Sequence, residues 1–138
     1  MARAKFDLDD RLLEFGVRAC RVAERLPQSP VARHIGLQLA RAATSPAANY
    51  AEAQAAESRR DFVHKLRICA KELREARVWL RFIRRMELCP TAPIEPTCDE
   101  CEQLVAIVSA SIRTATGGSA AGRRKSQCSS LKPQGTDT

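Results

Sequence analysis

Apolar residues return at intervals of three and four along most of this chain, the period of a helix with one buried face. In the first such stretch, residues 9–26, Leu12, Phe15, Ala19, Val22 and Leu26 share a face. Asp7, Asp9 and Asp10 stand at its start, where carboxylates suit the positive end of the helix dipole, and Pro27 and Pro30 close it. A second stretch, residues 31–56, presents Ile35, Leu39 and Ala42, with Leu37 beside them. Gly36, Ala40, Ala43, Ala47 and Ala48 are small enough to let a neighbouring helix come close. Pro46 removes a backbone donor inside this stretch. It reads as a kink, since helical character resumes over 49–56, with a true break as the alternative.

The third stretch, residues 58–87, has the strongest pattern. Phe62, Leu66, Cys69, Leu73, Ala76, Leu80 and Ile83 alternate steps of four and three without a miss. That is a heptad seam, the signature of left-handed bundle packing. Pro90, Pro93 and Pro96 then predict a loop. Thr97 and Glu100 form a T-x-x-E capping box that predicts a fourth helix over 97–116. Its core face is Cys101, Leu104, Val105, Val108, Ile112 and Ala115, and Gly117-Gly118 ends it. Four amphipathic helices with short connections predict an all-α domain over residues 1–116, packed as an antiparallel up-down-up-down four-helix bundle. The Gly, Ser, Lys and Arg of residues 117–138, including Arg123-Arg124-Lys125, predict a disordered basic tail.

Composition changes this picture in two ways. With 138 residues the chain has room for one domain only. Its formal net charge of +7 predicts an acidic partner, whether nucleic acid, an anionic membrane surface or acidic protein, against the plainer reading of a soluble basic surface. No stretch has the roughly 18 apolar residues of a membrane span, and the opening MARAKFDLDD lacks a signal-peptide core. A cytoplasmic location follows as the expectation, with the six cysteines present as thiols.

The third helix carries the charge on one side. Between Ser58 and Glu87 there are ten Lys or Arg and four Asp or Glu. On a helical wheel Arg60, Arg67, Lys71, Arg74, Arg81 and Arg85 gather opposite the seam. Such a ridge suits a phosphate backbone, with affinity falling steeply as salt rises; a solvated helix face is the bland alternative. Val78, Trp79, Phe82 and Met86 form a second apolar strip between seam and ridge. A monomeric bundle needs one buried stripe per helix, so this strip reads as a subunit interface, with a broad core face as the alternative.

Chemistry is sparse by comparison. Cys98-x-x-Cys101 lacks the βαβ setting of a redox motif, and zinc needs four ligands, of which Cys89 is at most a third. Cys101 falls on the core face, so structural thiols are expected. His34 and His64 stand alone on separate helices. Glu72-x-x-Glu75 lacks the histidine of a di-iron pair. A network with Glu52 and Lys65 joining helices is the better reading. No catalytic residue, metal or cofactor is expected, and the chain reads as a binding protein rather than an enzyme.

Arg41-Ala-Ala-Thr-Ser-Pro-Ala-Ala-Asn-Tyr-Ala-Glu-Ala-Gln-Ala-Ala-Glu-Ser58 resembles the signature of the four-helix bundle proteins encoded in intervening sequences of bacterial large-subunit ribosomal RNA genes. Asp61 to Ile68, Lys71-Glu72, Glu75, Trp79-Leu80 and the stretch from Leu104 to Thr114 continue the match, which covers about residues 10–116. The resemblance implies a homopentamer. It also implies a relation to the accessory variability protein of diversity-generating retroelements, a basic pentamer that binds nucleic acid and a reverse transcriptase. It assigns no enzyme activity. The signature positions it carries over are Ser45, Asn49, Glu52, Ser58, Phe62, Lys65, Lys71, Glu72, Glu75 and Trp79, which need be no more than a brace between helices two and three. The chain departs from the pattern at Pro46 and Ala47, where relatives often carry a small aliphatic residue and glycine, or the proline one place later. The functional expectation is therefore an oligomer that binds RNA or DNA through the basic face. The alternatives are an adaptor for a protein such as a reverse transcriptase, or a structural role without nucleic acid.

Overall fold

The computed structural model describes residues 7–117. The proposed basic tail, including Arg123 to Lys125, lies outside them. Four helices follow in order: α1 (Leu8–Glu24), α2 (Pro30–Gln54), α3 (Arg59–Arg85) and α4 (Thr91–Ala115). No helix among the described residues is long and apolar enough to cross a membrane.

The starts of α2 and α3 are set by serine caps. Ser29 accepts a hydrogen bond from the Ala32 N–H at 3.2 Å, with Pro30 in the first helical position, and Ser58 accepts from the Asp61 N–H at 3.0 Å. Each hydroxyl satisfies one of the orphan donors of a first turn. α3 closes with the Leu88 N–H on the Ile83 carbonyl at 3.1 Å, which turns the chain through Glu87 at a left-handed φ of 52°. Gly117, at φ 119°, takes the chain away from the end of α4 as its residue type predicts.

The helices run antiparallel around one core, with α1 packed on α2 and α4, and α3 on the same two. The pairings fix the direction. Gly16 lies against Ala43 while Gly36 lies against Ala23, so α1 and α2 are antiparallel. Lys65 reaches Glu52 and Trp79 reaches His34 across α2–α3, and Arg77 reaches Glu102 while Arg84 reaches Glu95 across α3–α4. Leu12, Phe15, Ala19, Val22 and Leu26 are buried, as are six of the seven seam residues of α3, from Leu66 to Ile83. Phe62, at the open end, is half-buried.

Leu37, read beside the apolar face of α2, is 65% exposed. α2 continues through Pro46, against the alternative of a break: the proline is buried inside an uninterrupted helix and its carbonyl accepts the Cys69 Sγ–H at 3.5 Å. One expectation is corrected. The fourth helix begins at Thr91, not at Thr97, so there is no capping box at Thr97 and Glu100. Pro93 is the third residue of α4, among the N–H groups that have no helical partner in any case. Pro96 does remove a helical bond, but continuing the helix buries Ile94 and Cys98, and that apolar gain outweighs one backbone bond. Thr97 is buried instead, its hydroxyl donating to the Pro93 carbonyl at 2.8 Å.

Candidate nucleic-acid interface

α3 sets the geometry of this surface. Stepping alternately by four and three from Arg60, the helix places Arg60, His64, Arg67, Lys71, Arg74, Val78, Arg81 and Arg85 on one line, and all eight are exposed. The seam repeats with the same mean step of 3.5 residues, so line and seam keep to opposite sides of the rod along its length. At 1.5 Å per residue the line is about 38 Å long.

The cations of α3 sort by angle. Those beside a neighbouring helix are engaged there. Lys65 meets Glu52 at 2.7 Å, Arg77 meets Glu102 at 3.0 Å, Arg84 meets Glu95 at 3.6 Å, and Arg59 donates to the Ala115 carbonyl at 3.1 Å. Among the described residues, none of the six cations on the line has a carboxylate within ion-pair distance. Arg74 donates only to the Ser109 hydroxyl, at 3.2 Å. Arg67–Lys71, Lys71–Arg74 and Arg81–Arg85 are like-charged neighbours one turn apart, an arrangement that costs helix stability.

Two hollows open along the line. At its start, Arg59, Arg60, His64 and Arg67 with Val63 and Ala115 line a groove of about 610 Å³ against the end of α4. Near its end, Val78, Arg81, Phe82 and Arg85 surround a shallow hollow of about 230 Å³.

The structure divides the strip formed by Val78, Trp79, Phe82 and Met86. Val78 lies in the register of the basic line. Trp79 is half-buried against the core and held on three sides. Its Nε1–H donates to Glu75 at 3.0 Å, its ring meets His34 edge-on at 5.8 Å, and Phe82 stacks on it at 5.5 Å with 28° between the planes. Phe82 and Met86 are each 46% exposed.

Of the signature positions, Glu52, Lys65, Glu72 and Glu75 form ion pairs between α2 and α3. Arg41 pairs with Glu72 at 3.4 Å and also with Glu75, which in turn holds Trp79. Glu52 takes Lys65, and the hydrogen bond that Lys65 donates to it pushes the lysine pKa up. Asn49 donates to the Ser45 hydroxyl at 2.9 Å and to its carbonyl at 3.1 Å, while Ser58 caps α3 and Phe62 packs at the same end. Lys71 is the exception: it faces outward on the line.

Cys69, Cys98 and Cys101 face inward. Cys101 is buried, donates to the Leu73 carbonyl at 3.3 Å, and is pushed up to about 12 by burial. Burial likewise takes Cys69 to about 12 and raises Cys98. Among the described residues no three His, Cys, Asp or Glu side chains converge as a metal would require. His34 packs on Trp79, and His64 stands on the basic line.

Sequence reasoning missed the continuity of the line, although extending the four–three step from Arg60 finds His64 and Val78. It missed Arg41 as the partner of Glu72 and Glu75. It also missed Leu13 and Val17 of α1, which are exposed beside the path of α2.

The model of the 23S rRNA-intervening sequence protein family matches residues 6–110. The chain is similar to a crystal structure, at 1.70 Å, of a protein of unknown function from the S23 ribosomal protein family of Bacteroides thetaiotaomicron. Identity is 30%, the match covers 77% of this chain and 98% of that one, and the TM-score is 0.71. A comparison with curated proteins finds no match.

Proposed function

The chain belongs to the 23S rRNA-intervening sequence protein family, and from that premise we propose that it is a non-enzymatic, self-associating cytoplasmic bundle that binds nucleic acid along the outward line of α3. One observation carries the reading: six exposed cations stand in a single row about 38 Å long at helical rise, without a carboxylate partner among the described residues. A merely solvated face gains stability by alternating charges one turn apart. This one forgoes that gain at Arg67–Lys71, Lys71–Arg74 and Arg81–Arg85, while cations elsewhere on the same helix are paired. A row of fixed positive charge is what displaces counterions from a phosphate chain. The non-enzymatic part of the proposal gives Cys69 and Cys101 no chemical role, since burial raises both thiols and holds them neutral.

Self-association is supported by apolar side chains left in water. Leu13, Val17 and Leu37 project from α1 and α2, and Met86 from the end of α3. Light scattering gives the oligomer mass, with a pentamer as the expected state; a monomer at micromolar concentration overturns this half of the proposal. Anisotropy titration of labelled RNA and DNA at 50 and 200 mM salt tests the other half. Tight binding at low salt that weakens steeply supports it, and no binding to either polymer at low salt sinks it. Recovery of a single protein from a nuclease-treated pull-down, with no nucleic-acid binding, would replace it with the adaptor reading.

A further inference from the structure

The basic line gives way to an apolar side chain at one place, and that place has a shape. Where the four–three step calls for another cation the chain has Val78, and beside it on the wheel stands Phe82, the only aromatic ring among the large exposed apolar side chains of the described residues. Val78, Phe82, Arg81 and Arg85 together enclose the hollow of about 230 Å³.

Phe82 does not hang free. One face of its ring lies on Trp79 at 5.5 Å, with 28° between the planes. Trp79 is fixed in turn by Glu75, at 3.0 Å from its Nε1, and by the edge-on contact with His34, and Glu75 is itself clamped by Arg41. The exposed side of Phe82 is therefore a backed platform that loses little side-chain entropy when something is laid on it. Flat, apolar in the middle and flanked by two guanidinium groups, it fits a nucleotide base with phosphates on either side.

Resting on the reading of the basic line as a nucleic-acid surface, we propose that the ligand is single-stranded, and that an unpaired base stacks on Phe82 while Arg81 and Arg85 take the flanking phosphates. Two physical points select the single strand. A duplex keeps its bases stacked inside and cannot lay one on a side chain without extruding it. The line is also one residue wide, which matches one row of phosphates. A second copy of this chain is the poorer occupant of the hollow. Any contact there, two-fold or cyclic, would bury the Arg81 and Arg85 guanidinium groups, and taking charges out of water opposes association unless a carboxylate meets each of them.

The test is anisotropy titration of a labelled single-stranded 12-mer and a hairpin duplex of equal charge, with the full chain at one salt concentration. Phe82→Ala is expected to weaken single-strand binding roughly 5- to 150-fold, the range measured for one base–aromatic stack, and to leave hairpin binding unchanged. Phe82→Tyr is expected to bind the single strand as wild type does, and Phe82→Leu to behave like the alanine variant. The fluorescence of Trp79, the sole tryptophan, should change on single-strand binding and not on hairpin binding. Unchanged single-strand affinity in Phe82→Ala overturns the inference, as does an equal loss on the hairpin, or a Phe82→Leu variant that binds normally. A change of oligomer mass in Phe82→Ala overturns it in favour of a second copy. In each of these cases wild-type binding persists, so the basic-line reading stands. If the wild type binds neither probe at low salt, the line itself has failed.

Discussion

Gly16 and Gly36 are both buried inside helices, and the packing predicts opposite outcomes when each becomes alanine. The local term is the same at both positions: alanine is favoured over glycine in a helix interior by about 0.8–1 kcal/mol. The space is not the same. At Gly16 a Cβ would stand 3.0 Å from the Ala43 carbonyl oxygen, with the Thr44 Cα at 3.7 Å behind it. Both atoms are backbone, so relief requires α1 and α2 to move apart. Forced contacts of this kind in a packed interior cost about 1–3 kcal/mol, which exceeds the propensity gain. Gly16→Ala should lose about 1 kcal/mol net. At Gly36 the nearest atom is Leu26 Cδ1 at 3.3 Å, the tip of a side chain beyond the end of α1, and the Ala23 atoms at 3.5 and 3.6 Å are in ordinary contact. A leucine tip gives way by a small rotation, so the propensity term survives, and Gly36→Ala should gain about 0.5–1 kcal/mol. For a chain of this size the two variants should melt roughly 5–10 °C apart, on either side of wild type. Urea and thermal melts followed by far-UV circular dichroism, at one protein concentration so that self-association is held fixed, give both numbers. A Gly16→Ala protein as stable as wild type, or more so, would show that the α1–α2 contact is soft and that the reasoning from the 3.0 Å approach is wrong.

Three other outcomes follow from named contacts. If the six cations of the line each meet a phosphate of a single strand, log K should fall with log salt with a slope of about −4, and Arg67→Gln, Lys71→Gln and Arg74→Gln together should halve it to about −2. The same substitutions at Arg21 and Arg25, which belong to the diagonally opposite α1 and its C-cap, should leave the slope unchanged. The buried thiols Cys69 and Cys101 are raised from 9.0 to about 12, so the folded state holds them neutral while the unfolded state ionises them. Their stabilising effect is complete below pH 9 and is lost as pH rises towards 12, by up to about 1.4 kcal/mol per thiol per pH unit. Urea melts from pH 8 to 11 should show that slope, and the Cys69→Ser, Cys101→Ser double variant should flatten it. Thr97→Val removes the buried hydroxyl from the Pro93 carbonyl and should cost about 1 kcal/mol in chemical denaturation; a neutral effect would mean that the start of α4 does not depend on that bond.

The helices were legible wherever one term dominated. The seam from Leu66 to Ile83 could be read because burial alone decides those positions, and each is buried. The start of α4 was misread because proline was treated as an absolute stop. Its penalty depends on position: near a helix start it is small, and further in it competes with whatever burial the continued helix achieves, here that of Ile94 and Cys98. Leu37 follows the pattern as well: Ile35, Leu39 and Ala42 define a face, Leu37 lies beside it, and its side chain meets solvent although its residue type favours a core. The brace of Arg41 with Glu72 and Glu75 needed the tertiary pairing of α2 with α3, which no single-helix pattern contains.

The candidate site was legible in its outward row and illegible in the partners of the remaining cations. A wheel set Arg60, Arg67, Lys71, Arg74, Arg81 and Arg85 opposite the seam, but did not give the groups on neighbouring helices that hold the other four. The fold separates them by chemistry: Lys65, Arg77 and Arg84 reach carboxylates on α2 and α4, while the six on the outward line do not. The same 3.5-residue step that keeps the seam facing the core keeps this line straight along the rod. Shifting a single arginine by one residue would turn it by about 100°, bringing it towards a neighbouring helix or out of the row. On the proposed reading, a straight row of phosphate contacts would constrain the same register as the core does, and Val78 and Phe82, the one place where the row yields to apolar atoms, would mark a contact of a different kind rather than a lapse in the pattern.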